Sequence, residues 1–209
     1  MATDSGHSSP DLEVAALFNS SLPSKKNNNT SSSLPGKQSL KAEESKPNDT
    51  SLHCYAGNGD IANIKLLIAN GADVNAVDES GNTPLSWAAY HRQLEVIDWL
   101  VHFGADINGK PFESNSPLSV SASKGYIDSC KHLLKYGADV DATNFEEATP
   151  LMYAAFNDHH HVVKLLLENG ADLTKKNIYQ TTVMDIAQKQ GNKKVLAEID
   201  NYLIKILNA

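Results

Sequence analysis

Residues 83–106, TPLSWAAYHRQLEVIDWLVHFGAD, decide how this chain folds, because their order of small, apolar and turn residues returns before and after them at a fixed interval. A step of 33 residues from Thr83 reaches Thr50, Ser116, Thr149 and Thr182, and the same step from Gly104 reaches Gly71, Gly137 and Gly170. Each of these glycines opens a G-A-D phrase, GADVN, GADIN, GADVD and GADLT, so the register holds without an insertion. The hydroxyl that opens each period suits a helix mouth, where its oxygen accepts a bond from an orphan N–H. Pro84, Pro117 and Pro150 suit the first helical turn, where no N–H is needed. Ala88, Ala89, Ala122, Ala154 and Ala155 keep the first helix thin, while a second helix supplies bulk through Val96, Ile97 and Leu100, or Val162, Val163, Leu165 and Leu166. The glycines fall where that second helix must stop in a left-handed conformation, after which a hairpin finger leads to the next unit.

A period of 33 with T-P-L at its start and G-A-D after its second apolar run resembles the ankyrin-repeat family. The resemblance implies an all-α solenoid of helix-turn-helix units with β-hairpin fingers, in repeats 50–82, 83–115, 116–148 and 149–181 with a carboxyl-terminal cap at 182–209. No single repeat can bury its own apolar face, so neighbours share the core and the ends need a polar outer side. In the cap, Val195, Leu196, Ile199, Tyr202, Leu203 and Ile206 are expected to form an inward stripe, with Lys194, Glu198, Asn201 and Lys205 facing water. The first repeat departs from the pattern, carrying Tyr55 and Asn63 for the usual Ala and Val.

The repeats occupy residues 48–209; residues 1–47 are rich in Ser, Asn, Lys, Pro and Thr and are expected to be a disordered tail, too poor in apolar surface to offset ordering entropy. The apolar island Leu12–Phe18 could form a helical turn or two under a partner, and the phrases SSLPSK and SSLPGK are most simply a product of biased composition. A formal charge of −7 argues against duplex nucleic acid as a direct partner. Cys54 and Cys130 match no zinc or C-x-x-C spacing, which favours free thiols in cytosol or nucleus. The chain shows no signal peptide or run of about 18 apolar residues, so a soluble protein with no membrane partner is expected, as a monomer.

Departures from the repeat at exposed positions carry the functional information. Fingertip position 30 holds Glu79, Phe112, Phe145 and Ile178, three of them apolar. On the first helices Trp87 and Tyr90 lie three apart, as do Tyr153 and Phe156, so each pair shares a helix face and could line a groove. For Trp87 and Tyr153 a core position between repeats is equally open, whereas Tyr90, Phe156, Phe112 and Phe145 are expected on the surface.

At a finer level, TPLSWAA at Thr83, PLSVSASKGY at Pro117, TPLMYAA at Thr149, and VMDIAQKQG with the YLIKIL ending are similar to adaptors of the RFX-associated ankyrin protein and ankyrin-repeat family A type. That resemblance spans residues 78–207 and implies a non-catalytic adaptor that binds peptides of the form Pro-x-Leu-Pro-x-Ile/Leu on its concave face. Trp87 and Tyr153 match the aromatic positions of that site. Tyr90, Phe156, Ser119 and Ser121 alter the groove floor, and Arg92 replaces a Gly at the helix turn. An extended Pro-rich strand docks in an aromatic groove with little loss of entropy.

Other constellations are weak. His159, His160 and His161 are consecutive and lack a nearby carboxylate or cysteine to complete a metal site, so a polar turn is the simpler account. Cys130 stands at a core position, His53 belongs to a turn-holding T-x-L-H phrase, and Asp185 has no catalytic companion. No cofactor, metal or catalytic residue is expected. An ankyrin effector delivered into a host cell by an intracellular bacterium is a second functional class compatible with the tail, and an enzyme or metal protein is a third.

Overall fold

The computed structural model describes residues 49–109 and 115–208. Among them run ten helices in five pairs: α1 (Asp49–Asn58) and α2 (Ile61–Ala69), α3 (Pro84–Tyr90) and α4 (Leu94–His102), α5 (Pro117–Lys124) and α6 (Ile127–Lys135), α7 (Pro150–Phe156) and α8 (His160–Glu168), α9 (Val183–Gln190) and α10 (Lys193–Leu207). The expected tail, its apolar island and the Phe112 fingertip lie outside the described residues.

The local signals act where the period puts them. Thr83, Ser116 and Thr149 each accept a hydrogen bond from the backbone N–H three residues on, with Pro84, Pro117 and Pro150 next in line, and Thr182 forms a reciprocal capping box with Asp185. Thr50 is the exception. Its helix already begins at Asp49, in a repeat whose next residue is Ser51 rather than the proline that fixes the start elsewhere. Gly71, Gly104, Gly137 and Gly170 have φ of 89°, 89°, 85° and 87°, the positive region that ends each second helix.

The fingers differ from the β-hairpins expected, since no described residue is in a strand. In each described finger the root residue makes two backbone bonds: its N–H donates to the carbonyl four residues on, Asp78 to Asn82, Asn144 to Ala148 and Asn177 to Thr181, and its own carbonyl accepts from the N–H three residues on, that of Gly81, Glu147 or Gln180. The side-chain oxygen of the root residue then takes two further N–H groups from inside the turn, as Asn144 Oδ1 does from Glu146 and Ala148. Five residues wrapped around one side chain leave no second rung for a ladder.

The first helices approach their neighbours more closely than the second helices do, except where long α10 meets α8. Their alanines and serines permit this, and the array therefore curves with α1, α3, α5, α7 and α9 on the inside. Between the layers Leu100, Leu133, Leu166 and Ile199 form a buried column, one in each unit from the second repeat to the cap, while the first repeat's equivalent, Leu67, is half-buried. Cys130 is buried beside it where neighbouring repeats place Ile97 and Val163, and burial pushes its thiol pKa up to about 12, so it behaves as an apolar filler.

Two polar ladders stitch one repeat to the next. At the turn after each G-A-D, Asn75 Oδ1 accepts from Asp106 N and Asn108 Oδ1 from Asp139 N, both at 2.8 Å, and Asp141 Oδ1 accepts from Asp172 N at 3.1 Å. At the start of the second helices, side chains reach back to carbonyls of the preceding first helix: Gln93 Nε2 donates to Gly57 O, His159 Nε2 to Ser123 O and Asn192 Nδ2 to Ala155 O, at 3.0, 3.0 and 2.7 Å. The carbonyl partner requires the proton on Nε2 of His159, so this histidine is a clip between repeats rather than part of a loose polar turn. Each such bond contributes about 0.5–1.5 kcal/mol net. His53 also holds turns as its phrase predicts, its Nε2 lying 3.1 Å from Ala76 O and 2.9 Å from Asn82 O.

The cap departs from the expected stripe. Val195 and Ile199 are buried, and Leu196 and Tyr202 half-buried, but Leu203 and Ile206 are 38% and 53% exposed. Length is the reason: α10 has 15 residues against 9 in α8, so its last turns run past the helix on which they would pack.

Candidate functional site

The inner face is built from the exposed positions of α3, α5 and α7 and from the fingers. At its centre Trp87 and Tyr90 are both half-buried on α3, one turn apart, with His91 between their rings. Trp87 stacks on His91 at 5.6 Å between centroids with an interplanar angle of 14°, and Tyr90 meets His91 edge-on at 5.0 Å. Gly57 of α1 makes this packing possible, because a Cβ there would stand 3.0 Å from His91 Cδ2 and 3.3 Å from Trp87 Cε3. The indole Nε1 donates to Asp78 Oδ2 at 2.8 Å, which ties the helix to the root of its finger. Burial pushes the Asp78 carboxyl up, but bonds from Asn82 N–H, Trp87 Nε1 and the Asn82 amide outweigh it and hold the group below its ordinary value. The anchor of Trp87 is thus ionised at neutral pH.

Tyr153 stands two repeats further on at the same register and makes the matching clip, its hydroxyl accepting from Asn144 Nδ2 at 3.0 Å. Unlike Trp87 it is fully buried. Its neighbours at the same position, Val120 and Ile186, are buried too, so the ring is enclosed by the stack and offers nothing to a ligand. Ser119 is likewise buried, its hydroxyl engaged with Ser116 at 3.1 Å. Both therefore leave the set of direct contact residues. Phe156 is half-buried on α7, Phe145 is 52% exposed at its fingertip, and Ile178 and Tyr179 are exposed on the next finger. Tyr90, Phe145 and Phe156 thus have accessible surface, while Phe112 belongs to a finger outside the described residues.

Two features escaped the sequence reading. Lys124 closes α5 with its Nζ 4.4 Å from the centre of the Tyr90 ring, a contact between neighbouring repeats. On the outer face Trp99 stacks on Phe103 at 5.7 Å and carries the Lys65 ammonium 3.5 Å above its ring. The signal for this second cluster was present: Phe103 and Tyr136 precede their glycines where the first and fourth repeats have Asn70 and Asn169. Among the described residues no three His, Cys, Asp or Glu side chains are placed to hold a metal ion, and no helix is long and apolar enough to cross a membrane.

A family model of three tandem ankyrin repeats matches residues 24–111 and again residues 112–204. The chain belongs to the ankyrin-repeat family. The first match opens within the segment expected as a tail. No curated protein matches the chain. Ankyrin repeats are a protein-interaction module, and the paired-helix array described above is their fold.

Proposed function

We propose that this ankyrin array is a non-catalytic adaptor whose inner face binds an extended peptide containing proline and leucine, of the form Pro-x-Leu-Pro-x-Leu/Ile. The observation that supports it is the juxtaposition of Trp87 and Tyr90, two half-exposed rings held rigid by His91, Gly57 and the bond to Asp78. Fixed aromatic surface beside a finger suits proline and leucine side chains, which bind rings without losing much conformational freedom. Phe156 and the Phe145 fingertip extend the same apolar track toward the carboxyl end.

Calorimetric titration with Pro-x-Leu-Pro-x-Leu peptides tests this, with an expected Kd in the micromolar range, about −8 kcal/mol. Tyr90→Ala should weaken binding by roughly 2 kcal/mol if the ring is a central anchor, while Glu79→Ala should change little. Tyr153→Ala is the wrong probe, because it opens the core. Equal affinity of wild type and a folded Tyr90→Ala variant would remove the inner face from the site.

A further inference from the structure

We infer that Lys124 reads an acidic residue of the bound peptide, so that the ligand carries an Asp or Glu beside its apolar residues. This rests on the inner-face assignment above and adds a charge to it. Lys124 is the sole charged side chain in α3, α5 and α7, in a chain whose formal charge is −7. It is half-buried, its ammonium faces the Tyr90 ring at 4.4 Å, and it has no carboxylate partner among the described residues. Arg92, a fixed cation of the preceding repeat, is by contrast paired: its Nη2 meets Asp128 Oδ2 at 2.8 Å.

The physical consequence follows from this contrast. A half-buried ammonium has lost part of its hydration, and an aromatic face returns only part of that loss. A peptide lying over Trp87 and Tyr90 would shield the site further, which strengthens attraction to a carboxylate and raises the cost of leaving the ammonium unpaired. An apolar peptide would bury that charge without compensation. The inner face therefore selects an acidic residue next to the ring-binding ones, and disfavours a basic one at the same place.

A displayed library of random twelve-residue peptides, selected against the full chain, tests the inference without assuming any one ligand sequence. Wild type should enrich Asp or Glu at a fixed distance from the apolar residues. Lys124→Arg should keep that preference, and Lys124→Glu should exchange it for Lys or Arg. A synthetic acidic winner should bind Lys124→Gln about tenfold more weakly than wild type, and its affinity for wild type should fall with added salt. If Tyr90→Ala abolishes capture but wild-type winners show no acidic preference, or Lys124→Glu retains one, the role of Lys124 is refuted while the inner-face site stands. If wild type captures no peptide, or Tyr90→Ala captures the same ones equally well, the site itself is refuted and the role of Lys124 falls with it. Circular dichroism of each variant establishes that it is folded, and Lys124→Gln replaces Lys124→Glu as the deciding variant if the charge reversal alone unfolds.

Discussion

Replacing Leu166 with Ala, and Leu66 with Ala beside it, tests the architecture with one chemical change at two burial levels. Both residues lie on second helices, but Leu166 is fully buried in the column that includes Leu133 and Ile199, and Leu66 is 58% exposed. Removing a buried isobutyl group loses its transfer energy and leaves a cavity that the stack fills only in part, for a total of about 2–5 kcal/mol. The exposed site should change by about 0.5 kcal/mol or less. For an array of this size a 3 kcal/mol loss corresponds to a fall in Tm of roughly 6–12 °C. Urea denaturation should be followed by both helical circular dichroism and tryptophan fluorescence, because the two tryptophans, Trp87 and Trp99, both belong to the second repeat. In a stack stabilised between neighbours, damage to the fourth repeat should lower the dichroism transition before fluorescence responds. A loss below about 1 kcal/mol for Leu166→Ala, or equal losses at the two sites, would refute the repeat register.

Two further outcomes follow from particular residues. Glu146 is 4% exposed, its Oε2 has no hydrogen-bond partner among the described residues, and burial raises its carboxyl above the ordinary value against a weaker opposing bond from Asn144. A raised native pKa means the folded state holds the proton more tightly, so the contribution of Glu146 to stability falls as pH rises through the carboxylate range. Glu146→Gln should therefore stabilise the protein at neutral pH, with the gain shrinking as the pH falls below that range in urea titrations at several pH values; an equal gain at every pH would contradict this. Asp158 sits at φ +57° where the equivalent positions in three other repeat units hold Gly59, Gly125 and Gly191. The left-handed cost, at most about 1–2 kcal/mol for an Asp, less the roughly 0.5–1 kcal/mol of extra freedom glycine brings to the unfolded chain, gives Asp158→Gly a gain between about 0 and 1.5 kcal/mol; a lower urea midpoint than wild type would contradict it.

The fold was legible because the chain carries its own controls: four G-A-D phrases at one interval identify helix ends, caps and core column without outside information. Legibility failed where a residue's surroundings depend on something other than its register. The Asn and Asp residues after G-A-D read as polar turn positions, and their bonds to the following repeat need the superhelical step, which no local pattern contains. Leu203 and Ile206 have the correct spacing for an inward stripe, yet their exposure is set by where α8 ends.

The candidate site shows the same limit more sharply. Trp87 and Tyr153 share a register, an aromatic character and a bond to the finger root, so no property of either residue alone separates them. Their neighbours do: Trp87 stands between exposed Cys54 and buried Val120, whereas Tyr153 stands between Val120 and Ile186, both buried. Exposure in a solenoid is thus a property of three consecutive repeats, and a departure from the pattern marks a surface only when the positions 33 residues before and after leave room for it. The same comparison applied to charge isolates Lys124. Its equivalents His91, Asn157 and Gln190 carry no permanent charge, so the one fixed cation of the inner helices α3, α5 and α7 is visible in the chain once the inner face is known, although the net charge of −7 points the other way. The proposed reading of the inner face rests on that local departure, a fixed cation at one position of a chain whose formal charge is −7.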